Sequence, residues 1–325
     1  MAAKIGPYKF TPILKQVLWG GDKIAAFKGM QTCQRQVGES WEISSIKGDI
    51  SVVAQGDEAG LTLEQLIDKH GARLVGKTVF EQYGNRFPLL VKFIDASSDL
   101  SIQVHPTDER ALRHGEPNGK TEMWYVINAE PDSTVINGLK QPISPAQFRK
   151  AAADGTITRH LAQHQTHAGA VFSLPAGQIH NIGAGNFIAE VQQASVTTYR
   201  IYDWGRTDAN GKPRTLHTRL AAQTIDFNRV NNGHPIDYDR TAVNQPVTLV
   251  SNDKFHVSRL IVSEQFQMPV PDSFLIFMCL DGKATLTLDQ DNPTTLQCGE
   301  TVLIPACATT ATLQGNATLL AVTPR

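Results

Sequence analysis

Three short segments carry side chains able to hold a divalent cation. In LSIQVHP, Ser101, Gln103 and His105 alternate, so an extended strand projects all three from one face. In GKTEMWYV, Lys120 and Glu122 share a face in the same way, and in PAGQIHNIG, His180 follows a Pro-Ala-Gly turn. Two neutral imidazoles, a carboxylate and a carboxamide oxygen suit Zn²⁺ or another divalent first-row ion, with one position left for water or substrate. Any one of these histidines alone reads equally as a packed or surface residue. Their combination is what points to a metal.

A second set lies in AEVQQASVTTYRIYDWGR, where Glu190 and Gln192 share one strand face and Thr198, Arg200 and Tyr202 share another. A carboxylate or guanidinium on an inward face is costly unless paired, hydrated or used on a ligand. Lys92, inside the apolar PLLVKFID, poses the same question: a polar-face lysine or a buried cation awaiting an anion. Trp19 and Trp41 read as core or pocket aromatics. His160, His164 and His167 have helical spacing and follow a predicted helix without an acidic partner, so they read as a solvated helix face.

One motif match is misleading. GARLVGKT at 71–78 fits G-x-x-x-x-G-K-[ST], and LLVKFID ends in Asp95 like a second nucleotide motif. A phosphate loop must leave a strand and open a helix so that its amides converge on the phosphates. Here the preceding TLEQLIDKH is helical in pattern, so the match reads as chance.

The elements that would position these groups are mostly strands. Short runs of β-branched and aromatic residues at 88–94, 100–105, 122–127, 170–175, 187–192, 197–204, 273–280, 284–288 and 300–305 are separated by Gly, Pro and Asn. Helices are few and punctuated. Thr62 and Gln65 form a capping box for a helix reaching about Phe80, with a break near Gly71. Ser144-Pro145-Ala146-Gln147 opens another, and Thr107 to about His114 holds a short third.

The chain also repeats itself. AGAVFSLPAGQIHNI (168–182) aligns with CGETVLIPACATTAT (298–312), matching Gly169 with Gly299, Pro175 with Pro305 and Ala176 with Ala306. His180 then falls opposite Thr310, and upstream Glu122 is set against Phe274. Two copies of one β unit are expected, the first equipped with polar groups and the second not. The boundary is expected near residue 240, giving units 1–240 and 241–325.

Bulk composition narrows the function classes. The chain has 325 residues and 30 basic against 31 acidic side chains, for a net charge of −1. Such a balance disfavours nucleic-acid or anionic-membrane binding by counterion release. No apolar run reaches the length of a membrane span, and the start MAAKIGPYKF lacks a secretory signal, so a cytoplasmic protein is expected. Cys33, Cys279, Cys298 and Cys307 lack C-x-x-C spacing and read as reduced core residues.

Taken in order, LWGGDKI, GESWEIS, LLVKFIDA, LSIQVHPTD, GKTEMWYV, FSLPAGQIHNIG and YRIYDWGR resemble the zinc-dependent mannose-6-phosphate isomerases of the type I cupin family, in the short bacterial form. The resemblance covers most of the chain. It implies a mainly β fold of two cupin (jelly-roll) barrels with helical insertions, only the first carrying a site. It implies one Zn²⁺ per chain on Gln103, His105, Glu122 and His180, with Gln103 either a direct ligand or set back behind water. It further implies Arg200 and Glu190 as catalytic residues and Lys92, Ser101 and Lys120 in the substrate pocket. The substrate would be a small sugar phosphate, its phosphate held by local cations among which Lys92, Arg200 and Arg206 are candidates. A monomer or weak homo-oligomer is expected. A non-catalytic phosphosugar-binding cupin and a different metal-dependent cupin enzyme are the competing readings.

Overall fold

The computed structural model describes residues 5–32, 34–207, 210–230 and 232–325. Strand makes up 42% and helix 16% of the chain. One sheet has the order Ile13–Gly21, Val37–Ile43, Leu89–Asp95, Asn186–Gln193, Glu122–Ala129, Val171–Leu174. A second has the order Tyr199–Tyr202, Ile102–Val104, His180–Ile182, Thr134–Leu139, Leu161–Gln165. Trp124, Ile94 and Ile188 of the first sheet pack with Val135 and Ile182 of the second in one apolar cluster. The two sheets therefore face each other, in the manner of a jelly-roll barrel.

A third sheet draws every strand from 247–324, whereas those of the first two lie within 13–202. Its spine is the pair Leu275–Leu288 and Thr310–Pro324. The expected strands at 273–280 and 284–288 are one strand here, because pairing with Thr310–Pro324 continues through an irregularity between Cys279 and Asp281. Leu260, Phe277, Leu286 and Leu313 fill its interior. The two halves also share a core: Ile43, Leu66, Phe93 and Val191 pack in one cluster with Phe255, Phe274, Ile276 and Val322. Across that seam, buried Lys28 places its Nζ 2.8 Å from both Glu42 oxygens and donates to the Gly299 carbonyl.

Helix starts follow their caps. Thr62 and Gln65 exchange side-chain and backbone hydrogen bonds at the start of Leu63–His70, and Ser144 with Gln147 does the same for Pro145–Ala153. Thr107 caps Asp108–Arg113. Gly71 and Gly76, both at positive φ, divide the run toward residue 83 into the three helices Leu63–His70, Ala72–Val75 and Lys77–Tyr83. The segment 71–78 thus follows a helix rather than a strand, and no phosphate loop forms there.

The repeat is structural. Gly169 and Gly299 both adopt φ 80°, and His180 and Thr310 each open the strand after the shared turn. The upstream alignment is off by one residue. Leu174 pairs with Glu122 and Ile304 pairs with Leu275, so Leu275, not Phe274, stands where Glu122 does. Likewise Pro269 pairs with Thr310 where Gln103 pairs with His180.

Two further expectations are corrected. The helix ends at Ala153, and His160, His164 and His167 fall on a 3₁₀ turn, the strand Leu161–Gln165 and the loop after it, so no helical face unites them. Cys279 is buried, but Cys298 is half-buried and Cys307 exposed, so the latter two are not core residues; Cys33 lies outside the described residues. No helix among the described residues is long and apolar enough to cross a membrane.

Candidate active site

The alternation in SIQVH brings its polar residues to one side of a strand. Gln103 sits opposite His180 on one flank and Arg200 on the other, while Glu122 opens the facing strand of the other sheet. One ligand atom each from His105, Glu122 and His180 lies within 4.8 Å of the others, and all three residues are buried. His105 Nδ1 is 2.9 Å from the Thr197 carbonyl, and His180 Nδ1 is 2.9 Å from the Gln178 carbonyl. A carbonyl only accepts, so each Nδ1 carries its proton and each Nε2 turns its lone pair inward. The two Nε2 atoms are 3.1 Å apart. Both Glu122 oxygens are buried without a hydrogen bond.

Three electron-pair donors therefore converge on one buried point, an arrangement that a cation stabilises. Lys120 Nζ supplies a nearby one, 3.1 Å from both His105 Nε2 and Glu122 Oε2. Burial first, then Lys120 and His180, holds His105 well below the usual histidine range. Burial also brings His180 to about 4, against the hydrogen bond to Gln178. Both rings are thus neutral at physiological pH, the form that binds a metal. The Gln103 amide lies 3.4 Å from His180 Nε2.

Beside this cluster is a cavity of about 270 Å³ lined by Lys92, Ser101, Gln103, Lys120, Glu190 and Arg200, among others. Each residue expected in the substrate pocket or in catalysis is on its wall. Glu190 pairs directly with Lys92 on one side and Trp124 on the other. Its Oε1 is 3.0 Å from Lys92 Nζ, and its Oε2 accepts from Trp124 Nε1 at 2.7 Å. Burial and then the Glu122 charge push the Glu190 carboxyl above its usual value, against Lys92 and Lys120. Lys92 also lies 3.3 Å from Glu39 Oε2. Burial alone would lower its ammonium, but Glu190 and Glu39 outweigh it and hold the group above its usual value.

Residues 8–135 match the family model described as phosphomannose isomerase type I, catalytic domain, and residues 246–324 match the mannose-6-phosphate isomerase cupin domain. Mannose-6-phosphate isomerase ManA of Bacillus subtilis (strain 168) is 33% identical over 86% of this chain and 87% of its own. The chain belongs to the type I phosphomannose isomerase family. The mannose-6-phosphate isomerase of Streptococcus mutans is 32% identical over 89% of each chain. The crystal structure of the Bacillus subtilis mannose 6-phosphate isomerase superposes with a TM-score of 0.87, at 31% identity, over 97% of this chain and 99% of that one.

In this member of the type I phosphomannose isomerase family, His105, Glu122 and His180 fit a divalent metal by donor chemistry: two imidazole nitrogens and a buried carboxylate, each imidazole oriented by a carbonyl. The second barrel has Thr310 and Leu275 at the corresponding His180 and Glu122 positions, which removes the imidazole and the carboxylate.

Sequence patterning placed most of the wall and missed part of it. Thr198 and Arg200 line the cavity, but a register shift between Arg200 and Tyr202 turns Tyr202 away to pack with Trp204 and the cluster behind the sheet. Trp19 and Trp41 are buried cavity aromatics. The sequence pattern does not single out Glu39, Trp124 or Arg214, which also line the cavity. Glu39 alternates with Trp41 in GESWEIS, a signal that was present. Burial alone would raise Glu39, but Lys92, then Trp41 and Lys120, hold its carboxyl below its usual value.

Proposed function

We propose that the chain interconverts mannose 6-phosphate and fructose 6-phosphate by proton transfer between C2 and C1 through a cis-enediol. The observation that carries this reading is the buried Glu190 carboxylate, fixed by two donors on the wall of a cavity that is also lined by Arg200 and by Gln103 and Lys120, which touch the metal-type cluster. Family membership supports it.

Removing a proton beside a carbonyl is hard because negative charge develops on oxygen. We assign the proton to Glu190. A base works best when its pKa approaches the operating pH, and the burial that raises Glu190 moves it in that direction. Lys92 and Trp124 fix its orientation, and with two glutamates already beside its ammonium, Lys92 holds Glu190 rather than an anionic substrate. Arg200 stabilises the developing charge, and Ser101 and Lys120 contact sugar oxygens. We assign the metal to one Zn²⁺ per chain, held by His105, Glu122 and His180 with Gln103 beside them. A bound divalent ion supplies Lewis acidity and orientation for sugar oxygens.

Residues 1–240 are proposed as the catalytic cupin unit and 241–325 as a cupin unit without a metal site. We further propose a monomer or weak homo-oligomer in the cytoplasm. The test is a coupled assay for fructose 6-phosphate formed from mannose 6-phosphate, with glucose 6-phosphate as comparator. Turnover selective for mannose 6-phosphate is expected. No turnover with any sugar phosphate, but tight binding, would favour a phosphosugar sensor instead.

A further inference from the structure

We propose that Arg214, clamped by Asp203, is the residue that grips the substrate phosphate and makes the site select phosphorylated sugars; this rests on the sugar-phosphate reading above. Arg214 lies between the strand Tyr199–Tyr202 and the helix Thr218–Thr224, in a segment folded back by the Thr207–Pro213 bridge. That excursion brings it to the cavity wall beside Arg200.

Charge placement separates it from the other cations. Four cationic side chains, Lys92, Lys120, Arg200 and Arg214, line the cavity against the carboxylates Glu39 and Glu190. Lys92 contacts both of those carboxylates, and Lys120 contacts Glu122. Among the described residues, Arg200, Arg206 and Arg214 have one nearby carboxylate, Asp203, which pairs with the latter two. Burial and the neighbouring Arg214 charge lower Arg200 from its usual value, with Asp203 opposing. The Arg200 Nε is moreover buried with no hydrogen-bond partner. Guanidinium charge gathered at a cavity wall, with a buried donor free to bond, suits an anion.

Arg206 does not fit that role. Its Nη2 donates to Asp203 at 2.6 Å and its Nη1 donates to the Asp99 carbonyl, and it does not line the cavity. Arg214 engages Asp203 through Nε at 2.7 Å and through Nη2, which uses one edge of the guanidinium. The Nη1–Nη2 edge has the fork geometry that matches two phosphate oxygens. Asp203, 6% exposed, is the positioning residue that sets this edge.

The test compares Arg214→Gln, Arg214→Lys and Arg206→Gln in the full chain with metal bound. For Arg214→Gln, KM for mannose 6-phosphate is expected to rise roughly 10- to 100-fold, the scale of one lost charge-assisted pair, with kcat within about threefold. Turnover of unphosphorylated mannose should be unchanged, so discrimination falls by the same factor. Arg214→Lys should recover part of the loss, and Arg206→Gln should lower Tm while leaving KM within about threefold. Titration calorimetry with a hexitol 6-phosphate, against the free hexitol, reads the same site without turnover. A preference for the phosphorylated hexitol unchanged in Arg214→Gln, or lost in Arg206→Gln instead, overturns the proposal. Absence of isomerase activity in the unsubstituted chain, with phosphate binding still dependent on Arg214, would overturn only the functional reading.

Discussion

Replacing Glu190 with Gln separates the proposed base from the scaffold that holds it. The two side chains have nearly the same shape, so the cavity wall keeps its outline. Their hydrogen bonding differs. Glu190 offers Oε2 to Trp124 Nε1 at 2.7 Å and Oε1 to Lys92 Nζ at 3.0 Å. An amide has one acceptor and one donor end, so either Lys92 or Trp124 then faces an N–H₂ group. One donor against donor contact in a site only 3% exposed costs about 1–3 kcal/mol of stability. Lys92 keeps Glu39 at 3.3 Å, which limits the damage. The chemical effect is larger: loss of a positioned base costs about 10²–10⁴-fold in kcat, or about 3–6 kcal/mol of barrier. Initial rates should be measured with metal content by elemental analysis and Tm on the same preparation. Solvent deuterium entering C2 of mannose 6-phosphate reports the proton transfer separately from ring opening. Both turnover and deuterium incorporation should fall together, with metal content unchanged. A folded, metal-replete Glu190→Gln chain with kcat within tenfold of the unsubstituted protein would remove Glu190 from the role.

Other expectations follow from buried charge. Lys28→Met leaves Glu42, at 4% exposure, without the ammonium that meets both its oxygens. A loss of about 3–5 kcal/mol in chemical denaturation is expected, and replacing both partners by Met and Gln should cost less than Lys28→Met alone. In the metal-stripped chain, His180 titrates at about 4, against about 6.5 when unfolded. A depressed pKa contributes stability that is present above 6.5 and lost as pH falls toward 4, here about 3 kcal/mol. His180→Gln should flatten that part of the stability profile measured between pH 7 and 4. The acidic limb of kcat should lie above the ordinary glutamate pKa of about 4.3, because burial raises Glu190.

Local rules carried much of the structure in the sequence itself. Both capping boxes form as spaced, and period-two alternation put Ser101, Gln103 and His105 on the site side of their strand. The repeat correctly singled out Thr310 as the counterpart of His180. What failed depended on non-local pairing. The match of Glu122 to Phe274 slipped by one residue because only the ladder to the strand Thr301–Ile304 sets that register. Tyr202 left its face because of an irregularity in pairing with Ile102–Val104, which alternation cannot show. Glu39 reaches Lys92 only because the strands Val37–Ile43 and Leu89–Asp95 pair. Arg214 sits in a loop with no period at all, held there by its hydrogen bonds to Asp203. Helical spacing misread the three histidines because the helix had already ended at Ala153.

If the cluster of His105, Glu122 and His180 is the metal centre of sugar-phosphate isomerisation, turnover must depend on a metal bound there. The most direct measurement is mannose 6-phosphate turnover after chelation and during Zn²⁺ back-titration, with metal counted per chain. Activity should vanish on stripping and return in proportion to Zn²⁺ up to one equivalent. Full turnover by a chain shown to be metal-free would remove the metal, and with it the cluster, from catalysis.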